Sequence, residues 1–125
     1  MPILNREQFL AAPDRKTKDV EVEALGGSVR IGAVSANTLF KFRDLQARRD
    51  RGEMVEGDII GVVLAGSILG EDNAELFSEE DIPALMRKSP EVVFTIFKEA
   101  MSLNNLNALP GSNTADPVEE ARKNS

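Results

Sequence analysis

The chain has no cysteine and no histidine, and its six aromatic residues are all phenylalanine, with neither tyrosine nor tryptophan. Without cysteine there is no disulfide framework and no thiolate zinc site. Without histidine the commonest metal ligand and the commonest general base at neutral pH are both missing. No cofactor is expected. The lack of a long apolar run is as informative: the most apolar stretch, Ile59 to Leu69, falls far short of the roughly 20 residues a membrane span needs. Met1-Pro2-Ile3-Leu4-Asn5-Arg6 has no basic region followed by an apolar one, so no secretory signal is expected and a cytosolic location is the default. A net charge of -6 favours solubility and disfavours nonspecific attachment to nucleic acid or anionic membrane.

What is present suffices for one domain. With 125 residues, 42% of them hydrophobic, roughly two-thirds of the unfolded surface can be buried on folding. Asn5-Arg6-Glu7-Gln8 has the form of a capping box opening a short helix with Phe9, Leu10 and Ala11, ended by Pro13. From Lys18 the period changes: Val20, Val22 and Ala24 alternate with Asp19, Glu21 and Glu23, which describes a strand with one apolar face. Gly26-Gly27 is a two-residue hairpin signal, and Val29, Arg30 and Ile31 resume the alternation, so a hairpin is expected at about 18–32. Its apolar face must lie on helices or pair with other strands, since an isolated hairpin is marginal in water.

Ser35 is placed to cap a helix over 36–51 carrying Leu39, Phe42 and Leu45, stopped by Gly52. Asp58 can cap a helix that is apolar nearly all round, Ile59 to Leu69, which belongs at the centre of the domain. Gly57, Gly61 and Ala65 lie four apart along it, a stripe of small residues open to close approach. A polar loop then ends in the apolar anchor Leu76-Phe77, and Ser78-Glu79-Glu80-Asp81 starts another helix with acidic residues in its first turn. Ser89-Pro90-Glu91 opens the last, with Val93, Phe94, Phe97, Ala100 and Met101 at helical spacing. The fold class expected is mainly α with one β-hairpin (α+β), about five helices around a central apolar one. Residues 1–108 form the domain, and residues 109–125, with almost nothing to bury, are expected to be a disordered tail.

The patterns that invite a chemical reading fail on spacing. Asp72, Asn73 and Glu75 with Glu79, Glu80 and Asp81 have the composition of a calcium loop, but the acidic positions, the central glycine and the terminal glutamate are out of register. Carboxylates in a helix's first turn are more simply caps than a general acid–base pair. Gly26-Gly27 to Gly32 follows a strand, yet it lacks a Lys-Ser or Lys-Thr step and leads into another strand rather than a helix. Arg48-Arg49-Asp50-Arg51 is short, contains an aspartate and has no aromatic neighbours on its polar face to stack bases, so solvated helix surface is the plainer account and no nucleic acid partner is expected. The charge pattern that remains is regional. Residues 36–51 hold five basic against two acidic side chains, and residues 71–91 seven acidic against two basic. If Arg48, Arg49 and Arg51 lie opposite Glu79, Glu80 and Asp81, copies can meet head to tail, and such heterologous contacts build rings or open spirals.

Taken in order, the charged alternating strand, the Gly26-Gly27 turn with Val29-Arg30 after it, the serine-capped helix, the apolar helix, Leu76-Phe77-Ser78-Glu79-Glu80-Asp81 and Lys88-Ser89 before an apolar final helix form a series. Over about residues 5–106 it resembles the tail assembly chaperones of long-tailed bacteriophages and related prophages. Such proteins often have tryptophan before the double glycine, where this chain has Leu25, and Asp-Gly before the Leu-Phe anchor, where it has Asp72-Asn73-Ala74. The resemblance implies a non-enzymatic assembly factor of the host bacterial cytoplasm, absent from the mature virion. Its partners would be the tape measure protein, which it keeps soluble, and the tail tube protein that polymerises around it. A tail after residue 109 would be the tether of a longer, frameshifted form. Binding without turnover needs accessible apolar surface, and the candidates are Phe94, Phe97 and Met101 together with Gly57, Gly61 and Ala65. The rival reading is a small acidic adaptor or regulatory protein, which as a nucleic-acid mimic would spread its carboxylates over one extended face. An enzyme would need a pocket with perturbed carboxylates.

Overall fold

A computed structural model describes residues 1–106 of the chain. Residues 109–125, the expected tail, lie outside the described residues. Five helices and a three-stranded antiparallel sheet follow in the order α1 (Arg6–Ala11), β1 (Thr17–Val22), β2 (Gly27–Gly32), α2 (Ala36–Asp50), α3 (Glu56–Ser67), β3 (Ile68–Leu69), α4 (Ile82–Leu85) and α5 (Pro90–Leu103). The fold is α+β and mostly helical, as the periodicities indicate.

Where a local side chain decides an element, sequence and structure agree. Asn5 and Gln8 form the reciprocal capping box of α1, with Gln8 N donating to Asn5 Oδ1 at 2.8 Å and Asn5 N donating to Gln8 Oε1 at 3.0 Å. Ser35 Oγ accepts from Thr38 N at 3.2 Å and Ser89 Oγ from Val92 N at 3.3 Å, and Pro90 occupies the first position of α5. α3 is the apolar centre. Ile59, Gly61, Val63, Leu64, Ala65, Gly66 and Ser67 are all buried, and the helix packs against α2, α4 and α5. The core continues into Ile31 of β2, Phe42 of α2 and Val92, Val93, Ile96 and Ala100 of α5.

Three expectations are corrected. The hairpin does not turn on two residues: Glu23–Leu25 form a 3₁₀ turn, Gly26 closes it in the left-handed region (φ 73°, ψ 24°), and Gly27 already pairs with Val22 as the first residue of β2. A type I′ turn needs positive φ at both central residues, and Gly27 has none, so Ala24 leaves the strand and enters the turn. The apolar helix begins at Glu56 with Val55 at its N-cap position, which places Asp58 inside the first turn rather than before it. It also stops at Ser67. Ile68–Leu69 switch to an extended strand that pairs antiparallel with Arg30 and Ile31, which makes the expected hairpin a three-stranded sheet in the order β1-β2-β3. Extending the helix would leave those two β2 residues without ladder partners on that side.

Candidate protein-binding surface

An apolar groove of about 250 Å³ lies between the sheet, the loop that follows it and the start of α5. Its floor is Val29, Leu64, Ile68 and Leu69, and its walls are Leu25 from the 3₁₀ turn, Leu76 and Phe77 from the loop, and Leu85, Val92, Val93 and Ile96 from the helices. Arg30 and Lys88 are its charged residues.

The loop is held in place by backbone and side-chain bonds. Leu76 N donates to Ile68 O at 3.1 Å and Gly70 N to Ala74 O at 2.9 Å, so the segment folds back along β3. Asn73 makes the bend at φ 65°, and Asp72 Oδ1 accepts from Ala74 N at 3.0 Å. Arg30 then ties the loop to the sheet. Its Nε and Nη2 reach the two Asp19 oxygens across the β1–β2 register at 2.8 and 3.1 Å, while Nη1 donates to Glu71 O at 3.2 Å and Asn73 Oδ1 at 3.1 Å. The hydrogen bond from Arg30 holds the Asp19 carboxyl below its ordinary value. The tie presents Leu76 58% exposed at the rim, with Phe77 half-buried beside it.

A second apolar surface runs along α5. Val92, Val93, Ile96 and Ala100 face the core, and Phe94, Phe97 and Met101, spaced three and four apart, form the neighbouring stripe. Phe94 is 55% exposed; Phe97 and Met101 are half-buried and packed against the core. The small residues of α3 are placed differently. Gly57 is exposed in the first turn, whereas Gly61 and Ala65 are buried, and a Cβ at Gly61 would lie 2.4 Å from Ile82 Cγ2 of α4. The close approach that the stripe permits is therefore made at Gly61 by the chain's own α4.

The basic helix and the acidic segment meet at one point. Lys41 of α2 forms an ion pair with Glu79, and Phe40, Lys41, Arg48 and Glu79 line one shallow groove, so Glu79 sits beside the basic helix rather than across the molecule from it. Regional sums missed this because α2 and the 3₁₀ turn Glu79–Asp81 both pack against α3. Glu53 pairs with Arg48 at 3.0 Å and with Arg51 at 3.5 Å, and the Arg48 hydrogen bond lowers its carboxyl below the usual value. Asp81 uses its carboxylate on Ser78, accepting from N at 2.8 Å and Oγ at 3.3 Å. Arg49 and Glu80 are exposed. Among the described residues no three carboxylates gather closely enough to hold a metal ion, and no helix is long and apolar enough to cross a membrane.

No family model matches the chain, and no curated protein matches it in sequence. The fold is shared with a solved phage protein: the structure of bacteriophage HK97 tail assembly chaperone superposes with a TM-score of 0.57 over 88% of this chain and 95% of that one, at 18% sequence identity.

Proposed function

We propose that the chain is a bacteriophage tail assembly chaperone that binds the tape measure protein, keeps it soluble in the host cytoplasm, promotes tail tube polymerisation around it and is absent from the mature virion. The observation that carries this reading is the likeness to the HK97 tail assembly chaperone over nearly the whole of that chain. The stripe on α5 supplies a physical means. A long helical client aggregates through its apolar faces, and a chaperone that covers them needs a complementary apolar surface on a rigid element. Phe94, exposed beside the half-buried Phe97 and Met101, is such a surface, and methionine adapts to irregular partners. The acidic-mimic alternative is disfavoured because Asp19, Glu53, Glu75, Glu79 and Glu99 are each tied to a lysine or arginine rather than spread over one free face.

Coexpression with the tape measure protein of the same phage, followed by affinity capture and sizing, tests the proposal. The wild-type chain should copurify with the client and keep it soluble. Phe94→Asp should keep its thermal midpoint, since the side chain lies outside the core, and lose the client. A tape measure protein that stays soluble alone and is not captured sinks the proposal; capture undiminished by Phe94→Asp sinks the assignment to α5.

A further inference from the structure

β1 is an edge strand of the sheet, and the register fixes what its outer side offers. Lys16 O accepts from Ala33 N at 2.9 Å, and the same alignment carries through to Val22 against Gly27, so Lys16, Lys18, Val20 and Val22 direct their backbone groups toward β2. The N–H and C=O of Thr17, Asp19 and Glu21 therefore point away from the sheet, and all three residues are exposed. Edge strands are ordinarily blunted by a bulge, a proline, shortness or charge. From Thr17 to Val22 the pairing runs unbroken, and neither proline nor glycine interrupts the strand. The guard on this edge is charge. Lys18, bonded to Glu99 of α5 at 2.8 Å, and the buried Val22 lie on the face toward α5, so Asp19 and Glu21 lie on the other. Glu21 has no ion-pair partner among the described residues.

We propose that the outer edge of β1 takes up an extended segment of another protein, one with lysine or arginine at alternate positions and apolar residues between them. Residues directly opposite one another on adjacent strands share a face. Basic side chains of the added strand therefore stand against Asp19 and Glu21, and its apolar ones lie beside the half-buried Val20. Main-chain bonds to Thr17, Asp19 and Glu21 supply the affinity, and the alternation selects the partner. A second copy of β1 is a poor occupant. Only residues with free backbone groups can meet across the new ladder, and the two antiparallel registers that overlap the strands most fully place Asp19 against Asp19 or against Glu21, where like charges repel. The site shares no residue with the stripe on α5 and does not rest on the chaperone reading.

Amide-resolved NMR of the full chain at low salt, titrated with the peptide acetyl-Thr-Lys-Val-Lys-Val-Lys-Thr-amide, tests this. In the free chain the amides of Thr17, Asp19 and Glu21 should exchange quickly with solvent, and those of Lys18, Val20 and Val22 slowly. Added peptide should shift the first three and slow their exchange. The same peptide N-methylated at its lysines keeps its charges and loses the donors that face β1, so it should bind about tenfold more weakly or worse. A peptide with glutamate in place of lysine should leave the wild type unchanged. Glu21→Lys, a change at an exposed position that spares the core, should weaken the lysine peptide about tenfold and confer binding of the glutamate peptide. β1 amides that do not respond to the lysine peptide at millimolar concentration overturn the proposal and leave Asp19 and Glu21 as guards against aggregation. A lysine peptide that binds equally well when N-methylated overturns it too, as does a Glu21→Lys chain with the wild-type preference.

Discussion

Gly66→Ala puts the packing at the centre of the molecule to a numerical test. A Cβ at Gly66 would lie 2.6 Å from Thr38 Cγ2, 2.9 Å from Thr38 Oγ1 and 3.2 Å from Thr38 Cβ. Rotation about χ1 can bring the Cβ hydrogen into one of the two close positions but leaves a heavy branch at the other, and the Cβ stays close in every rotamer. The methyl therefore has to push α2 and α3 apart where they cross. Overpacking of this kind costs about 1–3 kcal/mol. Against it stands the helix preference for alanine over glycine, up to about 1 kcal/mol and less than that here, one residue from the end of α3. The net expectation is a loss of about 1–2 kcal/mol, a fall of about 3–10 °C in the thermal midpoint at this chain length. Thr38→Ala removes both close atoms at the cost of the 3.3 Å contact between Ser35 Oγ and Thr38 Oγ1, and leaves the backbone cap from Thr38 N in place. Combined with Gly66→Ala it should recover about 1 kcal/mol relative to the sum of the single changes. Urea or thermal unfolding of the four proteins decides it. A Gly66→Ala chain as stable as wild type, or a cycle with no coupling, refutes the claim that these helices meet at this glycine.

The Asp19–Arg30 pair should give a pH-dependent term. Because the folded carboxyl titrates below its unfolded value, the pair stabilises the fold above the ordinary carboxylate range and loses that contribution as pH falls through the lowered value. The stability gap between wild type and Asp19→Asn should therefore close on acidification, and urea midpoints that differ equally at neutral and strongly acid pH would contradict it. Asn104 joins the end of α5 to the end of the sheet: Oδ1 accepts from Val34 N at 2.7 Å and Nδ2 donates to Ala100 O at 2.9 Å. Asn104→Ala leaves a half-buried N–H unpaired and should cost about 1–3 kcal/mol in chemical denaturation; a loss within error of zero would show that water replaces the bond.

The elements legible in the sequence are those whose signal lies within four residues. Asn5 with Gln8, Ser35 with Thr38 and Ser89 with Val92 each satisfy a backbone donor one turn away, so the cap can be read without the fold. β3 could not be read that way. Ile68–Leu69 resume the apolar run after Gly66-Ser67, which α3 carries as its last two residues, and a helix apolar nearly all round has no period whose loss would mark its end. Their strand conformation is fixed by Arg30 and Ile31, far away in sequence. The small-residue stripe was legible as a class and wrong in detail for the same reason. Gly57, Gly61 and Ala65 follow one helix face, but α3 has different neighbours on different sides, and the two α3 glycines that meet close side chains are Gly61 under Ile82 and Gly66 under Thr38. At the candidate surfaces, the helical spacing of Phe94, Phe97 and Met101 was visible while their exposure was not, because core and surface stripes on one helix share a period. The groove was invisible except for the Leu76-Phe77 anchor, since it is assembled from segments that meet only after folding.

What remains exposed constrains how this molecule can recognise anything. The side chains of its ion pairs are a quarter to nearly two-thirds exposed, and such pairs contribute little to stability. They do neutralise Glu79, Arg48 and Arg51 locally, while Arg49 and Glu80 stay exposed. Copies of a chain with a net charge of -6 repel at long range, and salt screens that repulsion. The exposed apolar side chains, beyond isolated ones such as Phe40 and Met54, fall into three groups: Ile3, Leu4, Phe9 and Leu10 near the start of the chain, Leu25 and Leu76 at the groove rim, and Phe94 on the α5 stripe. An assembly held by Arg48, Arg49 and Arg51 against Glu79, Glu80 and Asp81 would weaken as salt rises, whereas one held by apolar side chains would persist or strengthen. The direction of the salt dependence therefore separates an apolar from an electrostatic basis for any self-association.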